Sequence, residues 1–265
     1  MADLNVYLDA AREAALRAAD VLESWRRKFE VKEKGRFDLV TDADLASQRA
    51  IQAHLSAAFP GHAFLGEEED TNKSRPGPDA PPTWIIDPID GTTNYVHDFP
   101  FYCVSIGLQI AGELVVGVIY EPARKEMFAA SKGGGAWLNG QRLHVSPTAA
   151  LGKALLATGF PPDIRGGEKA LDWWRHFSFI AQSVRRTGST ALNLAYVAAG
   201  RFDGFYAFDN HVWDVAGGIV LVREAGGMLS NIDGTSYDPY TPDALASNGV
   251  LHPALVQIFR GEPGA

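Results

Sequence analysis

The residues that first suggest chemistry lie in one short stretch, "WIIDPIDGTTNYVHDFP" at 84–100. An apolar run, Trp84-Ile85-Ile86, ends in two aspartates three positions apart, Asp87 and Asp90, and Gly91-Thr92-Thr93 follows. Taken alone, Asp-Pro-Ile-Asp-Gly reads as a turn, because Asp, Pro and Gly are turn formers. Its setting supports a second reading. Acids that follow a buried strand stand where binding residues gather in sheet proteins. Asp87 and Asp90 are near enough in sequence to share a cation, and carboxylate oxygens with water are what Mg2+ prefers. Gly91-Thr92-Thr93 can open a helix whose unpaired backbone N–H groups face an anion.

Further acids lie far away along the chain. "FLGEEE" gives Glu67, Glu68 and Glu69, "VWDVAGG" gives Asp214, and "DLVTDAD" gives Asp38, Asp42 and Asp44. Each also has a structural reading: Glu68 and Glu69 as solvated loop charges, Asp42 and Asp214 as helix caps. If four such carboxylates met at about 4 Å, each pair would repel by about 4 kcal/mol at an effective dielectric near 20. A cluster of that kind protonates or spreads unless a divalent ion neutralises it.

Elements that could bring these acids together are legible in the pattern. Apolar residues at spacings of three and four predict an amphipathic helix over 4–28, followed by a polar loop, "VKEKGRFDLV". Thr41 or Asp42 is placed to cap a second helix that Pro60-Gly61 ends. "HAFLG" and "TWII" read as strands, and residues 101–131 as three strands of an antiparallel meander. A small hairpin follows with Asn139-Gly140 at its tip. Beyond about residue 150 the pattern alternates: strands in "ALLATGF", "SVRRTG" and "FDGFYAF", helices over 167–182, 190–200 and 214–225. The expected class is α/β, with an α+β half over 1–150 carrying most of the acids and an α/β half over 151–265 carrying Asp214.

Composition narrows the setting. The chain has 265 residues, 46% hydrophobic and 21% charged, as expected of a soluble globular protein. A formal net charge of −8 argues against a nucleic-acid surface, and no apolar run reaches the roughly 20 residues a bilayer needs. The N-terminus lacks the pattern of a secretory signal. A single cysteine, Cys103, excludes an internal disulfide and fits a cytoplasmic location. It reads as a buried thiol rather than a nucleophile. Gly135 and Gly140 have P-loop spacing, but Gln141-Arg142 stand where Lys-Ser/Thr belong. His97 and His211 show no metal-type spacing, and Ser189 has no nucleophile elbow.

In order, "DLVTDAD", "FLGEEE", "WIIDPIDGTTNYVHDFPF", "RRTGSTALNLAYVAAGRFDGFY" and "WDVAGG" resemble the inositol monophosphatase family of Mg-dependent, lithium-sensitive phosphatases. The resemblance spans nearly the whole chain. It implies a layered α/β/α/β/α sandwich, Mg2+ as cofactor, hydrolysis of a small phosphorylated polyol or sugar, and a homodimer. By motif position, Glu67, Asp87 and the carbonyl of Ile89 would hold one metal, and Asp87, Asp90 and Asp214 a second. Thr92 and Asp44, with Glu67 close by, would orient the attacking water. Backbone N–H groups of Gly91, Thr92 and Thr93 would receive the phosphate, and Asp90, Gly188, Ser189 and Thr190 would lie near the substrate. Lys34 stands near the family's loop lysine, and a solvated lysine is the other reading. One position departs from the pattern. Where the family carries a substrate-contacting glutamate, seven places before Asp214, this chain has Ala207, and Asp209 is the nearby acid that could replace it. Histidinol phosphate, fructose 1,6-bisphosphate and 3′-phosphoadenosine 5′-phosphate are alternative substrates, and a partner-binding role on the same fold is the alternative of another class.

Overall fold

The computed structural model describes residues 3–68, 75–166 and 168–263. Glu69 and the start of the Pro-rich loop lie outside them. Helix α1 (Leu4–Trp25) forms where expected and buries Leu8, Ala11, Ala15, Ala18 and Leu22 along one stripe. It ends before residue 28, and Arg27 already has a left-handed φ of 60°. Helix α2 (Asp42–Ala58) starts on Thr41, whose side chain accepts from the Ala43 N–H. The polar stretch between the helices is a hairpin, β1 (Val31–Gly35) and β2 (Asp38–Thr41), rather than the expected loop. All five β1 residues are exposed, so no inside–outside alternation marks the strand.

The first sheet has seven strands in chain order: β3 (Ala63–Gly66), β4 (Thr83–Asp90), β5 (Cys103–Ile110), β6 (Glu113–Glu121), β7 (Glu126–Ser131), β8 (Gly135–Leu138) and β9 (Gln141–Arg142). β3 runs parallel to β4, and the rest is the antiparallel meander read from the sequence. A short helix, α3 (Thr92–Val96), follows β4. The second sheet takes the order β11-β10-β12-β14-β13. Its strands are β10 (Leu155–Thr158), β11 (Ser183–Arg186), β12 (Gly204–Ala207), β13 (Met228–Ser230) and β14 (Ala244–Ser247). β10 lies parallel to β11 and β12, whereas β14 runs antiparallel to β12. Helices α4 (Glu168–Ile180), α5 (Thr190–Ala198), α6 (Val212–Glu224) and α7 (His252–Phe259) complete the chain. β13, β14 and α7 are elements the pattern did not predict. The strands are short and set among turn-forming residues, which leaves no run long enough to show a period.

Alternation within strands builds the layers. Val104, Ile106 and Leu108 of β5 pack with α1 and α2, while Cys103 on the same strand packs with α5 and α6. Ala157 and Ala246 of the second sheet face α5 and α6 from the other side, and Leu156 and Leu245 face α4 and α7. The result is the five-layer α/β/α/β/α sandwich.

Glycines let α6 settle directly on the first sheet. A Cβ at Gly117 of β6 would lie 2.2 Å from the Gly217 carbonyl oxygen, and one at Gly107 of β5 would lie 2.7 Å from the Ala216 Cβ. This close approach fixes the height of α6, whose first turn carries Asp214. Gly117→Ala is therefore expected to cost about 1–3 kcal/mol through overpacking. Gly61→Ala, with nothing within 4 Å, should change little. Urea unfolding of the two variants checks this.

Candidate active site

Side chains on a strand alternate between faces, so positions 87 and 90 should point opposite ways. An extra residue prevents that. Asp87 pairs with Ser105 and Asp90 with Cys103, so β4 spends three steps where β5 spends two. This bulge, over Pro88-Ile89, turns both aspartates toward the layer of α5 and α6, and proline is tolerated there because no ladder N–H is required. The sequence reading ended the strand at Ile86. The structure extends it through both acids, and every residue from Thr83 to Asp90 is buried.

The other acids arrive on separate elements. Glu67 follows β3, its N–H donating to the Ile86 carbonyl at 3.2 Å, which sets it beside Asp87. Asp214 is the third residue of α6 rather than its cap: His211 takes the cap position, and the Asp214 carboxylate accepts from the His211 N–H at 2.7 Å. Asp90 sits at the N-terminus of α5, accepting from the Ser189 hydroxyl at 2.7 Å and from the Thr190 and Ala191 N–H groups. Asp87 accepts from the Ile89 N–H at 3.1 Å.

Crowding shows in their titration. Burial raises the Asp87 pKa well above the ordinary value, and Glu67, Asp90, Asp214 and Asp44 push it further. Burial and then Asp90 raise Asp214 in the same way. Asp90 is pushed up to about 6 by burial, against the pull of its Ser189, Ala191 and Thr190 donors. Asp44 rises to about 7, again through burial, with Thr41 opposing and Glu68 and Glu67 assisting. Among the described residues, no three acids are gathered tightly enough to grip a metal as they stand. Each carboxylate instead leans on a protein donor. An ionised carboxylate has about four acceptor positions, so these bonds leave lone pairs for a cation. Hard oxygen donors that repel one another suit Mg2+ or another hard divalent ion.

Thr92 and Asp44 meet as expected. The Thr92 hydroxyl lies 3.3 Å from Asp44 Oδ1 and 3.0 Å from the Ile89 carbonyl oxygen. Asp44 is fully buried and also accepts from the Thr41 N–H and hydroxyl. Gly91, with φ of 101°, precedes α3 and lies against Gly188; a Cβ there would be 3.3 Å from the Gly188 carbonyl oxygen. Asn94, which the sequence reading passed over, donates to the Phe101 and Thr187 carbonyls and so ties the Gly-Thr-Thr turn to the 187–190 segment.

Two readings of charge need correction. Glu68 is not a solvated loop charge: its side chain is 4% exposed and paired with Lys34 at 2.8 Å. Lys34 is not simply solvated either, since its ammonium also lies 2.6 Å from Glu67 Oε1. Burial works against that ammonium, yet Glu67 and Glu68 hold its pKa above the usual lysine value. Cys103 is buried as expected, but beside Asp90 and Ser189 rather than wholly among apolar groups.

At the remaining end, Ala207 is 1% exposed and faces the position of Gly159, where a Cβ would lie 3.2 Å from the Ala207 Cβ and 3.6 Å from the Thr190 hydroxyl. Asp209 is exposed, with φ of 67°. Asn210, unremarked in the sequence, stands 3.5 Å from the Thr190 hydroxyl and is anchored by its amide and its backbone N–H to the Pro242 carbonyl.

Residues 3–263 match the inositol monophosphatase family. An inositol-1-monophosphatase of Synechocystis is 42% identical, covering 98% of this chain and 91% of the relative. A Nus factor SuhB of Pseudomonas aeruginosa is also 42% identical, over 88% of this chain and 86% of the relative. Among solved structures, inositol monophosphatase from Anabaena superposes with a TM-score of 0.87 at 39% identity, covering 98% of both chains. The extragenic suppressor protein suhB of Bartonella henselae gives 0.89 at 36%, covering 96% of this chain and 98% of that one. With its five-layer fold and its converging acids, the chain belongs to the inositol monophosphatase family and is a phosphoric monoester hydrolase.

Proposed function

We propose that this phosphatase hydrolyses a small phosphorylated polyol or sugar, inositol monophosphate foremost, using Mg2+ held by Glu67, Asp87, Asp90, Asp214 and the Ile89 carbonyl. The observation that carries this reading is the raised proton affinity of Asp87 on β4 and Asp214 on α6, which burial and then the charges of neighbouring acids, Glu67 among them, push up. When bound, Mg2+ supplies Lewis acidity, lowering the pKa of water and neutralising charge on phosphoryl oxygens. The chain supplies position. A water beside the Thr92–Asp44 pair can donate to the threonine oxygen, whose own proton points to Asp44 or the Ile89 carbonyl. Asp44, with Glu67 nearby, is placed to hold the proton that water loses. The Gly91, Thr92 and Thr93 N–H groups, at the start of α3, are placed to receive phosphate oxygens. Gly188, Ser189, Thr190 and Asp209 border the side from which the alcohol leaves. A cytoplasmic homodimer is part of this reading; among the described residues, no helix is long and apolar enough to cross a membrane. A partner-binding role on the same fold draws support from one observation, the relative that bears the name Nus factor.

Phosphate release from a panel of monoesters, with and without Mg2+, tests the activity. Asp90→Asn should lower kcat/KM on the best substrate on the order of 10³-fold, or about 4 kcal/mol; full turnover would remove the two-metal assignment. Asp209→Asn should weaken turnover of polyol phosphates, and unchanged kcat/KM on all of them would exclude its role. Stability of the metal-free protein should also depend on pH. Asp44 and Asp90 rise to about 7 and about 6 from 3.8, so between about pH 4 and 7 the folded state holds more protons than the unfolded state. Stability conferred by those protons is complete below pH 4 and lost as pH rises through 7. Melting in EDTA should thus occur at a lower temperature at pH 8 than at pH 5.5, and saturating Mg2+ should flatten that slope.

A further inference from the structure

The metal reading leaves Lys34 unexplained. This residue is carried by β1, whose five residues are all exposed, yet its side chain reaches inward and is only 28% exposed. Its ammonium contacts Glu67 Oε1 at 2.6 Å and Glu68 Oε1 at 2.8 Å. Its charge also reaches Asp214, where it opposes the repulsion from Asp90 and Glu67. Ion pairs elsewhere on the hairpin are looser, Lys32 to Asp42 at 3.7 Å and Arg36 to Asp163 at 4.0 Å.

We propose that Lys34 is the internal counter-cation of the acid cluster, holding the position on Glu67 that a divalent ion must take and thereby setting the metal affinity of the site. The inference rests on Glu67 being a metal ligand. Two cations on one carboxylate repel, and a divalent ion repels an ammonium twice as strongly as another ammonium would at the same distance. Metal entry therefore works against the Lys34–Glu67 contact. Glu68 makes the exchange feasible: it is almost fully buried and gives the displaced ammonium a partner to stay with. Without metal, Lys34 offsets repulsion among Glu67, Asp87 and Asp214, so the folded state survives until the ion arrives. Lys34 is thus a positioning residue acting through Glu67, and it links metal loading to the placement of the β1–β2 hairpin.

The test is calorimetric titration of Mg2+ into wild type, Lys34→Met and Lys34→Arg, together with their melting temperatures in EDTA. Lys34→Met should bind Mg2+ at least five-fold more tightly and melt at a lower temperature in EDTA, because the acids have lost their counter-cation. Lys34→Arg keeps a cation at that place and should return both values toward wild type. If Mg2+ binds wild type and Lys34→Met equally, or binds the variant more weakly, the inference falls while the metal site stands. If wild type binds no Mg2+, the metal reading falls and the inference with it.

Discussion

Carboxylates brought together out of water repel, and the structure around this site answers that constraint. Asp87 and Asp90 are buried and Asp214 half-buried; Asp90 raises the proton affinity of both Asp87 and Asp214, and Asp214 that of Asp87. Without compensation such a group destabilises the fold, because burial penalises charge and like charges add to the penalty. Three kinds of compensation are present. Helix N-termini and backbone N–H groups receive Asp90 and Asp214, protons are held to higher pH, and a lysine crosses from the hairpin to Glu67. Each answer is partial. The acids remain under strain that a hard cation relieves, which is a physical reason for a metal to bind where they meet.

The sandwich is built so that this meeting can occur. Glu67 directly follows β3 and Asp87 lies on the adjacent parallel strand β4, Asp90 is brought to the same face by the bulge, and Asp214 stands on a helix from beyond the middle of the chain. Small residues decide whether α6 comes near enough. Gly107 and Gly117 on the sheet and Gly217 on the helix leave backbone against backbone, which lowers the first turn of α6 toward Asp87. Packing density and the geometry of the candidate site are here one requirement: the contacts that fill the middle layer also set the spacing of the acids.

Much of this was legible in the sequence, for a definite reason. Asp87, Asp90, Gly91 and Thr92 are contiguous, so a local pattern exposes them, and Asp214 is marked by its position at a helix start. α1, α2 and α4 bury one stripe and so show a helical period, whereas α5 and α6 are apolar and buried almost all round. What stayed hidden depends on distance or on missing contrast. Lys34 and Glu67 are 33 positions apart, and nothing near either residue records the contact. Glu68 looks like a loop charge because its burial comes from elements outside its own segment. The β1–β2 hairpin has no buried face, hence no alternation to read. Asn94 and Asn210 escaped notice because a single amide has no pattern; only the carbonyls they hold reveal their function.

The surroundings of Ala207, the alcohol side of the proposed site, follow a different logic from the acids proposed to hold metal. An acid at position 207 would add another negative charge to a cluster already in excess, and could be justified only by a substrate hydroxyl that occupies it. Ala207 removes that charge and packs its methyl toward Gly159, in the corner where Thr190 and Asn210 stand. Thr190 is joined to Asp90 through its backbone N–H, while Asn210 is fixed to Pro242. Both polar side chains of this corner, Thr190 and Asn210, are thus neutral and tethered. A neutral hydroxyl and carboxamide neither repel an anionic substituent nor demand a hydroxyl at one place, as a buried carboxylate does. On the proposed reading, selectivity at this end would come from shape and from the Thr190–Asn210 pair, with Asp209 contributing charge only from the exposed rim.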